Sequence, residues 1–125
     1  MKRRYIEAYL LRIFIGENDR YEGRPLYEAI VRKVRQMGFA GATVLRGIEG
    51  FGKSSRLHTA RLLRLSEDLP IVIEIVDEEA EIEQILDAIE PMVQDGLVTL
   101  EKVRVIKYSA RGHDTVQERF QPPTD

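Results

Sequence analysis

Residues 70–89, PIVIEIVDEEAEIEQILDAI, join a strand pattern directly to a helix pattern. In the first part, three isoleucines alternate with two valines and a glutamate, which is the period-two spacing of a β-strand. At Asp77 the pattern changes, because an aspartate suited to a helix N-cap and two glutamates suited to a first turn precede apolar residues spaced for one helical face. The stretch predicts a strand followed by a helix, which Pro91 kinks or ends.

The same two patterns recur on both sides of this stretch. Residues 9–15 alternate as a strand, and Pro25 opens a helical pattern that Gly38 ends. Residues 42–48 predict a second strand, and residues 97–106 predict the last one. The element order β-α-β-β-α-β predicts an α+β, ferredoxin-like sandwich with an antiparallel four-stranded sheet and two helices on one face.

The other face of this sheet has no predicted helix. The alternation places Phe14, Leu45, Val72 and Val76 there, and this set is more apolar than a solvated face usually is. We therefore expect the chain to self-associate through this face. Ordinary surface apolarity is the alternative, because folded proteins expose many single apolar residues.

Composition predicts one domain. The chain has 125 residues, of which 43% are hydrophobic and 32% charged, so it can bury a core of its own. We assign residues 1–108 to this ferredoxin-like domain. Residues 109–125 lack periodicity and are predicted to form a mobile C-terminal tail.

Several functional classes are excluded by charge and residue usage. The formal net charge is −2, so nucleic acid is not an expected partner. The absence of cysteine excludes a disulfide framework, and the isolated His58 and His113 give no reason to expect a metal site. No apolar run approaches the roughly 18 residues of a membrane-spanning helix, so we expect a cytoplasmic protein that is not membrane-inserted.

The functional prediction rests on residues 41–59, GATVLRGIEGFGKSSRLHT. A strand here enters a glycine-punctuated basic loop, and such loops present backbone N–H groups and positive charge to phosphate. Lys53 and Arg56 belong to a basic cluster that favours an anion or an acidic partner, although a solvated basic stem is the alternative. Gly50 is either a turn glycine with positive φ or a ligand contact, and Phe51 is either a hydrophobic plug or a stacking surface.

The same segment also matches the sequence motif of a P-loop. Gly47, Gly52, Lys53 and Ser54 match G-x-x-x-x-G-K-[ST]. A working P-loop sits in a parallel sheet, whereas the predicted sheet is antiparallel, so nucleotide hydrolysis remains only an alternative. Since no nucleophile and base are paired either, we do not expect an enzyme.

Three blocks of the chain resemble a known family. The segment GATVLRGIEGFGKSSRLHTA resembles the strand and loop entry of PII signalling proteins. The chain as far as Lys107 is similar to the PII-like family called domain of unknown function 190, in which LRIFIGENDRYEGRPLYEAI, GATVLRGIEGFGKSS and LSEDLPIVIEIVDEE are characteristic blocks. The loop after the second strand is shorter here than in PII proteins and has no tyrosine for nucleotidylation.

The resemblance implies a homotrimer whose sheets line its inside, with adenine nucleotides in clefts between subunits and a loop after the second strand that reports the bound state. No other cofactor is expected. Thr43, Gly50, Phe51, Gly52 and Lys53 resemble the nucleotide-facing strand and loop base. The candidate ligand-binding set adds Ser54 and Arg56 from the loop and Arg104 from the last strand.

The leading hypothesis is a PII-like signalling protein that binds a phosphate-bearing small molecule between subunits and reports it through this loop. A second hypothesis is an interaction module without a ligand, which regulates a membrane transporter or channel by docking through the basic loop. The P-loop hydrolase is the third.

Overall fold

The protein is seen here as a computed structural model, which describes residues 2–39, 41–51 and 68–109. The second half of the glycine loop and the predicted tail beyond residue 109 lie outside these residues. The predicted boundary between domain and tail therefore remains a prediction. Within the described ranges, neither helix has the length and apolar character needed to cross a membrane.

Six strands and two helices make up the described chain. In order they are β1 Lys2–Gly16, β2 Arg20–Tyr21, β3 Arg24–Pro25, α1 Leu26–Gln36, β4 Thr43–Arg46, β5 Pro70–Asp77, α2 Glu79–Ile89 with a 3₁₀ turn at Glu90–Met92, and β6 Leu97–Ser109. The four long strands form one sheet in the order β4-β5-β1-β6, and every neighbouring pair is antiparallel. The predicted ferredoxin-like α+β fold is confirmed.

The hydrophobic core lies between the sheet and the two helices. Three directly opposed pairs supply the sheet side: Leu11 and Ile75, Ile13 and Ile73, Ile15 and Ile71. The helices supply Ile30 and Val34 from α1 and Ile82, Ile85 and Ile89 from α2. Each buried side chain of this size stabilises the fold by roughly 1.5–3 kcal/mol relative to an exposed one.

Three strands differ in extent from the prediction, and one of them is β6, which continues to Ser109 where the prediction ended it at residue 106. β1 begins at Lys2, well before residue 9, because its first half pairs with β6 alone, from Lys2 opposite Ser109 to Ala8 opposite Val103. We call this two-stranded extension, residues 2–8 with 103–109, the terminal ribbon. β4 is shorter than predicted and ends at Arg46.

The helix ends follow local backbone geometry. Gly38 has a φ of +86°, which confirms it as the glycine that ends α1. Asp77 still belongs to β5, and Glu78 is the N-cap of α2, so the predicted cap was one residue early. The Asp77 side chain instead accepts a hydrogen bond from the Glu78 N–H at 2.8 Å.

A small hairpin before α1 was not predicted. β2 and β3 pair Tyr21 with Arg24 around a turn in which Glu22 and Gly23 have φ values of +49° and +82°. Two consecutive central residues with positive φ are typical of the type I′ turn, whose twist matches that of the two strands in a β-hairpin. The hairpin packs against the start of α1 and shapes the helix side of the molecule.

Candidate functional site

The sheet face opposite the helices is covered by no described helix, and we call it the open face. Its apolar row crosses all four strands, with Leu45, Val72, Phe14 and Leu97 in register. Val76 lies on the same face, opposite Leu10. The predicted placement of Phe14, Leu45, Val72 and Val76 on one face is confirmed, and Leu45 and Leu97 are 48% and 59% exposed in the single chain.

A charged cluster lies in the middle of this apolar face. The Arg12 guanidinium donates hydrogen bonds from Nε to Glu74 Oε2 at 2.8 Å and from Nη1 to Glu101 Oε1 at 2.7 Å. The pKa of Arg12 is raised above its ordinary value, chiefly by the hydrogen bond with Glu74. The three side chains tie β5, β1 and β6 together across the open face.

Sequence reasoning missed this cluster. Arg12 and Glu74 are each the charged residue inside an otherwise apolar strand, which is a usable signal. Pairing them requires the strand register, because Arg12 lies opposite Glu74 only in the observed alignment of β1 with β5.

The base of the glycine loop packs closely against the start of β5. The Gly47 N–H donates a hydrogen bond to the Pro70 carbonyl oxygen at 2.7 Å. A Cβ added at Gly47 would lie 2.6 Å from Pro70 Cγ, and one added at Gly50 would lie 3.0 Å from it. Neither glycine has positive φ, so the turn interpretation of Gly50 is wrong and close approach to Pro70 explains both residues.

The loop after β1 joins this base from the side. The Glu17 carboxylate pairs with Arg46 Nη2 at 2.5 Å, and the Glu17 N–H donates to the Leu69 carbonyl oxygen at 2.8 Å. The Asn18 N–H donates to Asp68 Oδ1 at 2.9 Å. The polar turn after β1 therefore braces both ends of the glycine loop, although nothing in its spacing indicated a contact with residues fifty positions away.

The candidate ligand residues do not form one cluster, and only some of them lie within the described residues. Thr43 is exposed at the start of β4 and lies on the open face, opposite Glu74. Phe51 is 75% exposed, which does not fit a hydrophobic plug, and its neighbour Ile48 is 94% exposed. Gly52, Lys53, Ser54 and Arg56 lie outside the described residues.

Arg104 lies apart from the other candidates within one subunit. The register places Thr43 in the row of Thr99 on β6, three strands away. Arg104 lies five residues further along β6, so standard strand spacings separate it from Thr43 by roughly 20 Å. It also points to the other side of the sheet, since it lies opposite Glu7.

The Arg104 side chain is held on the terminal ribbon. Its guanidinium lies 4.5 Å from the centroid of the Tyr5 ring, and its Nε lies 3.9 Å from Glu7 Oε1. Arg3 contacts the same tyrosine, with Nη1 donating to the Tyr5 hydroxyl at 2.7 Å. Within one chain, Arg104 and Thr43 are therefore not placed to contact the same compact ligand.

Comparison with known proteins identifies relatives at the sequence level. Residues 8–105 match the family DUF190, described as "Uncharacterized ACR". A UPF0166 protein from Aquifex aeolicus is 41% identical over 103 residues, which cover 82% of this chain and 97% of that protein. A UPF0166 protein from Methanocaldococcus jannaschii is 34% identical over 103 residues, which cover 82% of this chain and 94% of the relative.

At the structural level the chain is similar to CPII, a nitrogen regulatory PII-like protein from Thiomonas intermedia K12, in its form bound to ADP, AMP and bicarbonate. The TM-score is 0.62 at 17% sequence identity, and the similarity covers 82% of this chain and 91% of that protein. At this identity the likeness establishes the fold. The chain therefore belongs to the DUF190 family and has a PII-like, ferredoxin-like fold.

Proposed function

We propose that this chain is a regulatory protein that binds a phosphate-bearing small molecule, in first place an adenine nucleotide, at clefts between its subunits. The observation that carries the proposal is the braced base of the glycine loop. Gly47 and Gly50 pack against Pro70, while the exposed Phe51 leads directly into the basic part of the loop. A rigid base next to a basic segment suits a loop whose arrangement changes when an anion binds.

The similarity to CPII supports the choice of nucleotide. That protein has the same fold and was determined with ADP and AMP bound. Adenine nucleotides are therefore the first ligands to test, and Phe51 is exposed enough to stack on a base.

The proposed assembly is a homotrimer formed through the open face. The row of Leu45, Val72, Phe14 and Leu97 offers a continuous apolar surface that a second copy would remove from water. The separation of Thr43 from Arg104 within one chain is consistent with the same proposal, in which neighbouring subunits supply these two candidates to one ligand.

The proposed mechanism involves no chemistry on the ligand. Binding would favour one arrangement of the loop after β4, and a partner would recognise that arrangement. The described sheet is antiparallel throughout and lacks the parallel setting of a P-loop, so we do not propose hydrolysis. We expect the protein to act in the cytoplasm.

The test is a calorimetric titration of ATP, ADP, AMP and cyclic AMP into the full chain, with the molar mass in solution measured in parallel. We expect binding of at least one nucleotide by a trimer and a loss of about tenfold or more in affinity for Lys53→Ala, since a charge-assisted phosphate contact is removed. Arg35→Ala, an exposed cation on α1, is the matched control and should bind normally. Absence of heat with all four nucleotides would contradict the proposal.

A second candidate function is supported by exposed apolar side chains at the loop base. Ile48 and Phe51 are large, exposed and close to the basic segment, as expected of a surface that docks a protein partner such as a membrane transporter or channel. Partner capture that is unaffected by nucleotide and abolished by Ile48→Ser with Phe51→Ser would favour this candidate over the first.

A further inference from the structure

A second concave site lies on the helix side of the molecule, away from the open face. It is a groove of about 410 Å³ between α1, the end of α2 and the β2–β3 hairpin. We call it the helix groove. Pockets for small organic ligands usually measure roughly 300–1,000 Å³, so its size suits a compact molecule.

Small residues between the two helices create the groove. Ala29 of α1 and Ala88 of α2 both line it, and the buried Met92 completes an apolar floor. On α1 the lining residues recur at positions 29, 32, 33 and 36, which is one helical stripe. Larger side chains at the two alanines would close the gap between the helices.

The walls of the helix groove carry excess positive charge. Arg24 from the hairpin and Arg32 and Lys33 from α1 line it, against the single carboxylate of Glu22. None of these three cations makes an ion pair or side-chain hydrogen bond with another residue in the described part of the chain. By contrast, Arg12 and Arg46 both contact carboxylates. With three cations against one carboxylate, the lining carries a formal charge of +2 at pH 7, which attracts anions.

The hairpin end of the groove is preorganised. Arg20 Nη2 donates to the Gly23 carbonyl oxygen at 2.8 Å, and the Leu26 N–H donates to the Asp19 carbonyl oxygen at 2.7 Å. These bonds hold the turn whose two central residues have positive φ. Tyr21 and Arg24 lie directly opposite each other on this hairpin, so an aromatic ring and a cation are presented together.

We propose that the helix groove is a second ligand site, for a small organic anion that carries two or more phosphate or carboxylate charges. The cations come from two separate elements, the hairpin and α1, which suits a ligand with more than one negative charge. Tyr21, Ala88 and Met92 provide apolar contact for the body of the ligand. The proposal is independent of nucleotide binding at the subunit cleft, because none of its residues belongs to the glycine loop.

The test follows backbone amide resonances of the isotope-labelled full chain at low ionic strength, with pyrophosphate and citrate as separate probes. The two probes distinguish a phosphate from a carboxylate ligand. We expect shifts confined to α1, the hairpin and the end of α2. Arg32→Gln with Lys33→Gln should weaken binding by about tenfold or more, since two charge-assisted contacts are lost.

Two further variants separate the groove from simple surface charge. Arg35→Gln removes an exposed cation of α1 that does not line the groove, and should leave the affinity within about twofold, since a single solvent-exposed charge outside the groove has little effect. Ala88→Leu keeps the charge and fills the floor, so it should weaken binding by about fivefold or more through steric exclusion.

The proposal is overturned if neither probe shifts any groove resonance, or if the shifts lie only around residues 47–51. It is equally overturned if Arg35→Gln weakens binding as much as the double variant, or if Ala88→Leu binds normally. Lys53→Ala should weaken nucleotide binding by about tenfold or more but leave the groove titration unchanged, so the two proposals fail separately.

Discussion

The two faces of the sheet carry similar numbers of apolar side chains but use them differently. On the covered face, Ile71, Ile73 and Ile75 of β5 are buried by the helices of the same subunit. On the open face, Val72 and Val76 of the same strand are only half-buried and adjoin the charged cluster of Arg12. The covered face accounts for the fold of the single chain, whereas the open face is suited to contact with another surface.

The largest expected effect tests this division within one strand. Ile73→Ala should lower the free energy of unfolding by about 3–4 kcal/mol, because it leaves a cavity in a fully packed core. Val72→Ala, one position away on the open face, should cost about 1 kcal/mol when assembly is absent. Urea unfolding at low protein concentration provides both values, and equal losses would mean that the open face is as important to the subunit as the core.

The next effect concerns assembly. Leu45→Lys should lower the association constant of the proposed trimer by about 100-fold or more, because an unpaired charge would be buried against apolar residues. Ile106→Lys is the matched control, since Ile106 is 51% exposed but lies opposite Tyr5, on the other side of the sheet. Molar mass measured across a dilution series gives the result. A stable assembly in Leu45→Lys would assign the interface to another surface.

The smallest effect concerns the charged cluster. Arg12→Gln leaves Glu74 and Glu101 without their shared cation, so we expect a lower urea midpoint. Adding Glu74→Gln should restore part of the loss, because it removes one of the two like charges. A double-mutant cycle on Arg12 and Glu74 measures the coupling. Additive effects would show that the two side chains act independently despite their 2.8 Å contact.

The sequence predicted correctly those features that depend on the periodic spacing of apolar residues. The alternation in β1 and β5 and the helical spacing in α1 and α2 predicted both the elements and the side chains that face the core, because a period of two or 3.6 determines which residues share a face. Gly38 was predicted for a similar reason, since a helix C-terminus often needs positive φ.

It failed where the deciding contact is distant in the chain. The first half of β1, KRRYIEA, has little strand character of its own and becomes a strand by pairing with β6. The β2–β3 hairpin was missed for a different reason: its contacts are local, but its turn depends on a positive φ at Glu22, a residue type that rarely adopts it.

The glycine loop shows the same limit at the candidate site. Its sequence matches the P-loop motif. The presence of glycine at positions 47 and 50 is nevertheless explained by the close packing of both residues against Pro70. The position of Arg104 could not be predicted either, because its distance from Thr43 depends on strand order.

The sequence alone thus determined the order of the four sheet strands and two helices, the covered face and the apolar character of the open face, since these follow from local spacing. Only the tertiary structure decided the pairing of Arg12 with Glu74 and Glu101, the bracing of the glycine loop by Glu17 and Pro70, and the cationic groove between the helices. The reason is physical: each of these features depends on the register and packing of elements far apart in the chain, and local spacing carries no information about either.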